Sequence, residues 1–321
     1  MNPIAERLAA QPVIVLDGAL ATELERRGAD LHDPLWSAKC LIESPDTIRS
    51  VHMDYFRAGA DVATTATYQA TFEGFGRRGI DRNHAERLMR GAVALAAAAR
   101  DEFWADLSNR RSRGRPLVAA SIGPYGAMLA DGSEYRGQYA VSDRELADFH
   151  RPRLEVLAQA GADLIACETL PCLREAVVLA RLLQEFPSVD AWISFSCLDG
   201  EHTSQGERIA DCAAALRGHD QLSALGVNCT PPGYVAELLT RMQEKADKPL
   251  LAYPNSGEIY DACAKQWRGG SDRLRLSEQV RNWYRAGARL IGGCCRSTPE
   301  DIREIFVQTR SLAGPGHWQA Q

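Results

Sequence analysis

The sequence predicts an α/β fold, a single-domain (β/α)8 TIM barrel, and three observations carry that expectation. Eight short apolar runs rich in Val, Ile and Leu recur at 13–16, 62–67, 117–122, 164–167, 191–197, 224–229, 250–253 and 289–294. They show little polar alternation, as parallel strands covered on both faces do. Between them lie helical segments, at 45–57, 84–103, 142–159, 173–185, 235–245 and 276–285, so strands and helices alternate as in βα units. A short repeat marks three helix-to-strand joins: Arg57-Ala58-Gly59-Ala60-Asp61, Gln159-Ala160-Gly161-Ala162-Asp163 and Arg285-Ala286-Gly287-Ala288-Arg289. Each reads as a helix end, a glycine cap and a strand. Eight such units in 321 residues suit a closed barrel, with an open doubly wound sheet as the alternative. No Pro/Gly/Ser-rich linker divides the chain, so residues 1–321 read as one domain with its core at 12–307.

A barrel of this kind places its active site at the C-terminal ends of the strands. In order, the residues leaving the first four runs are Asp17-Gly18-Ala19, Thr65 with Thr67-Tyr68-Gln69, Gly123-Pro124-Tyr125-Gly126, and Glu168-Thr169-Leu170-Pro171. Asn228 and Cys229 follow the sixth run, Pro254-Asn255-Ser256-Gly257-Glu258 the seventh, and Cys294 and Cys295 the eighth. Nearly every exit carries a polar, acidic or thiol group. That pattern converges on one pocket.

The composition, 45% hydrophobic and 25% charged, supplies a sizeable core. A net charge of −5 disfavours nucleic acid or an anionic membrane as the main partner, because both need a basic footprint. The one basic cluster, Arg110-Arg111-Ser112-Arg113-Gly114-Arg115, has no interleaved aromatics and reads as a solvated loop. The first seven residues lack the apolar core of a signal peptide, and the longest apolar helical stretch, 92–99, is too short to span a bilayer. The expectation is a cytoplasmic protein with no membrane partner. Its nine cysteines are then mostly reduced and open to metal or catalytic use.

Three cysteines stand apart. Cys229 ends the run Leu225-Gly226-Val227-Asn228, and Cys294 and Cys295 end Leu290-Ile291-Gly292-Gly293. Three thiolates on Zn2+ leave a fourth position open, which marks a catalytic rather than a structural zinc. Adjacent cysteines in a regular strand point to opposite faces, so both reach one metal only where the strand ends and turns. Gly292-Gly293 would supply that backbone freedom. The plain alternative is a pair of buried structural cysteines, or a redox pair. Cys40, Cys167, Cys172, Cys197, Cys212 and Cys263 read as small core residues, with Cys197 the one placed to act as an extra ligand. The histidines form no metal pattern, and no nucleotide-binding glycine motif occurs. Asp17 and Glu168 end apolar strands, where an isolated carboxylate is costly without a partner. The plain partner is a helix end or an arginine; the functional one is a substrate ammonium.

Taken together, several stretches resemble the homocysteine S-methyltransferase family. They are Leu16-Asp17-Gly18-Ala19-Leu20-Ala21-Thr22-Glu23-Leu24, Thr67-Tyr68-Gln69-Ala70-Thr71, Gly123-Pro124-Tyr125-Gly126-Ala127, Cys167-Glu168-Thr169-Leu170-Pro171, Gly226-Val227-Asn228-Cys229, Tyr253-Pro254-Asn255-Ser256-Gly257-Glu258 and Gly292-Gly293-Cys294-Cys295-Arg296. The loop Asp131-Gly132-Ser133-Glu134-Tyr135-Arg136-Gly137 is similar to that of the bacterial S-methylmethionine-using branch. The resemblance implies a (β/α)8 barrel with zinc on Cys229, Cys294 and Cys295, homocysteine as acceptor and methionine as product. It implies that Glu168 binds the homocysteine amino group, and that Asp17, Gly18, Thr65 and Asn228 help hold the amino acid. Betaine-using relatives carry Gly-Gly where this chain has Gly18-Ala19, and they have a long C-terminal arm. Betaine as donor and an arm-built tetramer are therefore not expected; a monomer or weak oligomer is. No cobalamin-binding domain is expected either.

The chemistry expected of such a site is simple. A free thiol is mostly protonated at neutral pH, and zinc coordination removes the proton. A sulfonium methyl is already activated, so in-line placement does most of the work. The cationic donor wants aromatic faces or carboxylates. Tyr125, Glu134 and Tyr135 are the donor candidates, with Tyr68 and Trp36 behind them. S-adenosylmethionine as donor, selenocysteine or selenohomocysteine as acceptor, and a non-catalytic zinc- or thiol-binding barrel are the competing readings.

Overall fold

Eight parallel strands close on themselves: β1 (Ile14–Val15), β2 (Val62–Thr64), β3 (Leu117–Ile122), β4 (Leu164–Leu170), β5 (Ala191–Phe195), β6 (Leu222–Asn228), β7 (Leu250–Tyr253) and β8 (Ala288–Ile291). Each pairs with the next in sequence, β8 pairs with β1, and a parallel bridge between Leu16 and Val62 closes the ring. This computed structural model describes residues 2–111, 113–261, 266–268 and 275–312. All eight predicted runs are strands.

Side chains alternate along each strand. Ile14, Leu16, Val62, Ala119, Leu164, Ala166, Trp192, Ala224, Leu251, Tyr253 and Leu290 form one buried cluster that fills the barrel. Ile4 joins that cluster from the helix Pro3–Ala10, which precedes β1. Asn2 caps this helix, its side-chain oxygen accepting from the N–H groups of Ile4 and Ala5. A larger core lies outside the strands, beneath the helices Pro45–Ala58, Arg82–Ala105, Asp143–Ala158, Leu173–Leu183, Pro232–Gln243, Leu276–Arg285 and Pro299–Arg310. The repeat's Gly59 ends its helix at φ +121°, where a side chain would be strained and would strike Phe306.

Several features differ from expectation. The basic cluster at 110–115 is not simply solvated. Arg113 donates to the carbonyls of Phe56 (3.0 Å) and Ala60 (2.6 Å) and pairs with buried Asp61 at 3.5 Å. Asp61 in turn accepts from Gln11 and from the Val15 N–H, so it locks β1 to the turn entering β2. A charge count cannot see a carboxylate distant in sequence. β4 continues past 167 to Leu170, with a register break between Cys167 and Leu170 and Thr169 at φ +60°. Glu168 therefore sits in an irregular stretch of strand, a feature that often re-aims a side chain beside an active site. An antiparallel hairpin, Ile259–Asp261 with Gln266–Arg268, follows β7 and was not expected. Cys263 lies outside the described residues.

Barrel closure leaves no room at Gly226. A Cβ built there lies 1.9 Å from the Leu251 carbonyl oxygen, so β6 and β7 approach too closely for any side chain. Gly226→Ala is expected to cost about 2–3 kcal/mol of folding stability, as overpacking does. Urea unfolding would measure it, and a loss below about 0.5 kcal/mol, within the range of an ordinary surface change, would refute the steric argument.

Candidate active site

The strand interiors change character at their C-terminal ends. Below, Ala119, Ala166, Trp192, Ala224 and Leu251 are apolar. Two residues on from each stand Ser121, Glu168, Ser194, Gly226 and Tyr253, and Asn228 follows Gly226 at the same spacing. The five polar side chains among these are joined by hydrogen bonds. Ser121 donates to Glu168 Oε1, and the Tyr253 hydroxyl donates to Oε2 at 3.0 Å. Tyr253 also accepts from Trp192 Nε1 (3.0 Å) and meets Ser194 Oγ at 2.7 Å. The result is a polar floor with Glu168 at its centre.

Asp17 stands at the β1 exit, held by the Thr64 N–H at 2.8 Å and by the Thr64 hydroxyl. Burial pushes Asp17 and Glu168 each up to about 7, against the pull of these hydrogen bonds, and the Glu168 charge raises Asp17 further. Two acids that repel across one pocket favour a cation between them. Gly18 adjoins Asp17, and a Cβ there would lie 2.8 Å from Ser297 Oγ and 2.9 Å from the Tyr55 ring. Thr65 is buried, its hydroxyl 2.7 Å from that of Thr67 and accepting from the Ser121 N–H.

Asn228, expected to touch substrate, is already occupied. Its Oδ1 accepts from the Thr169 N–H and from Ser194, both at 2.7 Å. Its Nδ2 donates to Thr169 Oγ1 at 2.8 Å, with Cys294 Sγ 3.8 Å away. It braces the irregular part of β4 against β6, so it frames the site.

The three cysteines meet. The sulfurs of Cys229, Cys294 and Cys295 all lie within 4.8 Å of one another, and those of Cys229 and Cys295 are 3.3 Å apart. A tetrahedral site with metal–sulfur bonds of about 2.3 Å has sulfurs about 3.8 Å apart, so the group fits one soft divalent ion. Hydrogen bonds from Cys294 and Cys295 hold the Cys229 thiol well below its ordinary range, while its charge helps push the other two up. Cys197 is not part of the group; it is buried, its N–H donates to Thr230 Oγ1 at 3.0 Å, and burial pushes its thiol up. Gly292 and Gly293 are needed for space rather than for conformational freedom. Neither has a left-handed φ. A Cβ on Gly292 would lie 2.6 Å from Leu16 Cβ, and one on Gly293 would lie 2.3 Å from Ser297 Oγ. The turn comes later, at Arg296 with φ +68°.

The donor-side candidates separate. The Tyr135 hydroxyl lies 3.3 Å from Cys229 Sγ. Glu134 is pushed up to about 7 by burial, and its Oε2 is buried with no hydrogen-bond partner. Tyr68 packs edge-on to Trp36 at 5.9 Å. Tyr125 goes elsewhere, because its ring packs on Phe149 (5.0 Å) and Tyr139 (5.4 Å) in the helical layer. Its backbone N–H donates to Glu175, which also bonds buried His150 at 2.7 Å. Ser121, Thr64, Ser194 and Tyr253 were missed as site residues. Their signal was the two-residue period that ends these four apolar runs on a hydroxyl.

The molecule is an α/β barrel whose mouth gathers two buried carboxylates and three thiols that could hold one metal ion. The homocysteine S-methyltransferase family model matches residues 14–308, and the chain belongs to that family of methyltransferases. It is 56% identical over 312 residues to the homocysteine S-methyltransferase YbgG of Bacillus subtilis (strain 168), covering 97% of this chain and 99% of the relative. It is 50% identical over 309 residues to the homocysteine S-methyltransferase of Escherichia coli (strain K12), covering 96% and 99%. The crystal structure of the homocysteine methyltransferase MmuM from Escherichia coli in metallated form superposes with a TM-score of 0.87 at 47% identity, over 96% of this chain and 100% of that one. No described helix is long and apolar enough to cross a membrane.

The buried carboxylate sets a pH dependence. Folded protein keeps the Glu168 proton up to about pH 7, whereas unfolded chain releases it near the ordinary 4.5. Between those values folding takes up a proton, so this group's contribution is full below pH 4.5 and is lost as pH rises through 7. Glu168→Gln should therefore gain about 1–3 kcal/mol over the parent at pH 8 and nothing relative to its own baseline at pH 4. Thermal unfolding of both proteins at pH 4, 6 and 8 would show the widening gap; a pH-independent difference would contradict it.

Proposed function

We infer that the chain transfers a methyl group from S-methylmethionine to homocysteine at a zinc ion held by Cys229, Cys294 and Cys295, giving methionine. The observation that carries this reading is the convergence of three sulfurs beside two buried, mutually repelling carboxylates. Held by Cys229, Cys294 and Cys295, zinc would take up a substrate thiol and keep it deprotonated at neutral pH.

The chain's own residues supply the rest. Glu168, with Asp17 nearby, takes the homocysteine ammonium, which relieves the cost of burying both carboxylates. Gly18, backed closely by Tyr55 and Ser297, holds the β1 exit in place beside the amino acid. Thr65 continues that wall. Glu134, with its free buried oxygen, takes a positive charge of the donor, and the Tyr68 and Trp36 rings line the same side. The homocysteine thiolate attacks the sulfonium methyl carbon in line, one S–C bond forms as another breaks, and neutral methionine leaves. No proton moves in that step, so the residues are needed for placement rather than for acid or base work.

Methionine formation from homocysteine with S-methylmethionine, S-adenosylmethionine and betaine side by side, with and without chelator, tests the reading. S-Methylmethionine should be preferred and chelator should abolish turnover; chelator-resistant activity would end the metal assignment. Cys229→Ser, Cys294→Ser and Cys295→Ser should each lower metal affinity and turnover by more than the roughly 10–100-fold typical of residues around a metal's ligands. Glu134→Gln should raise the donor KM about 10-fold with the homocysteine KM unchanged, the size expected for losing about 1.4 kcal/mol of charge pairing. Equal donor KM values for variant and parent would remove Glu134 from the donor site.

A further inference from the structure

We propose that Tyr135 is a positioning residue that ties the turn at 131–139 to the thiol centre, so that metal loading and the order of this turn depend on each other. The inference rests on the metal reading above and goes beyond it, because it concerns a link between the two halves of the pocket. Its ground is the contact between the Tyr135 hydroxyl and Cys229 Sγ, 3.3 Å apart and 94 residues distant in sequence.

The segment around Tyr135 is irregular. It contains a single 3-10 turn, Ser133–Tyr135, and four residues with left-handed φ: Ala130 (57°), Gly132 (83°), Gly137 (66°) and Gln138 (60°). Two of these are not glycine, and each costs of order 1 kcal/mol or more unless its surroundings hold it. The holding groups are identifiable. Asp131 accepts from the Ser133 N–H at 2.9 Å, and the Gly137 N–H donates to the Ser133 carbonyl at 2.8 Å. From the β5 exit, Ser196 donates to the Glu134 carbonyl at 3.2 Å and Gln205 accepts from the Gln138 N–H at 2.6 Å. From the β3 exit, Gly126 lies so close that a Cβ there would be 2.6 Å from the Glu134 nitrogen. These contacts seat the turn on two neighbouring loops. Tyr135 carries the seat across to β6.

The direction of the coupling follows from the chemistry of sulfur. A cysteine that ligates a metal has no proton, so the phenol must be the donor in that state. A hydrogen bond to an anionic acceptor is about twice as strong as one between neutral groups. Metal loading would hold the Cys229 sulfur in place as that acceptor, so the contact, already formed at 3.3 Å, favours both the loaded centre and the seated turn. Linkage makes the two effects equal: whatever factor the turn adds to metal affinity, the metal adds to the stability of the turn. Because Glu134 precedes Tyr135, the same contact fixes where the unpartnered carboxylate stands.

The test uses the full chain, zinc alone as the probe, and Tyr135→Phe, which keeps the ring and removes the hydroxyl. Zinc affinity is read by competition with a chromophoric chelator, and amide hydrogen exchange is read over 131–139 with and without zinc. The parent should show exchange over 131–139 slowed about 5-fold or more by zinc, the lower end of ordinary coupling factors. Tyr135→Phe should bind zinc roughly 10-fold more weakly, with zinc no longer slowing exchange there. Zinc-independent exchange in the parent, or parent-like affinity in Tyr135→Phe, would overturn the coupling while leaving the metal centre standing. A parent chain that binds no zinc would overturn both.

Discussion

The site depends on how closely the first and last strands of the ring approach at their C-terminal ends. Gly292 lies against Leu16 and the Asp17 carbonyl, and Gly293 lies against Ser297, at distances no side chain permits. The Gly293 N–H donates to the Asp17 carbonyl, and the Ser297 hydroxyl accepts from the Ala19 N–H. This clasp closes the barrel, and it brings Cys294 and Cys295 beside Asp17 while they face Cys229 across β7. A barrel closed more loosely would keep every ligand and lose the distances among them. Structure and chemistry therefore share one steric constraint, which explains why two glycines stand directly before two cysteines.

The second dependence is electrostatic. Asp17 and Glu168 are buried, Glu134 is half-buried with its Oε2 enclosed, and each is pushed up to about 7 by loss of solvent. Groups placed this way reduce the stability of the empty protein at neutral pH. The hydroxyls of Thr64, Ser121 and Tyr253 limit the cost without cancelling it. Such an arrangement suits a pocket whose ligands carry positive charge, because binding supplies the counter-charge that folding leaves out. The His150–Glu175 pair shows the contrasting case. There a buried acid bonds a histidine and a backbone N–H, and holds a loop in place.

Much of this was legible in the sequence because it is local. Each apolar run became a strand, since uninterrupted Val, Ile and Leu in a short segment can only be buried on both faces. The glycine-capped joins at Gly59, Gly161 and Gly287 all have left-handed φ. Cys229, Cys294 and Cys295 converge because strand exits in a barrel share one face. What escaped the sequence depends on contacts between distant segments. Arg113 looked solvated because Asp61, Phe56 and Ala60 lie 52 or more positions away. The bonds that Asn228 makes to Thr169 and Ser194 escaped because those residues are on other strands. Gly292 and Gly293 looked like a hinge because a sequence does not distinguish a glycine needed for φ from one needed for space.

The backbone itself points to the mouth of the barrel. Six non-glycine residues have left-handed φ among the described residues: Trp36, Ala130, Gln138, Thr169, Cys229 and Arg296. Each lies at or beyond the C-terminal end of a strand: Trp36 after β1, Ala130 and Gln138 after β3, Thr169 near the end of β4, Cys229 after β6 and Arg296 after β8. Such conformations persist only where surrounding contacts over-determine them. Here those contacts can be named: Asn228 on Thr169, Gln205 on Gln138, the Tyr253 carbonyl on the Cys229 N–H, and the Thr22 hydroxyl on the Arg296 N–H. Strain concentrated on one face cannot be a by-product of closing the ring, which would spread it to both ends of the strands. It is the cost of turning side chains inward at the strand exits, and Cys229, one of the six, carries a sulfur of the thiol centre.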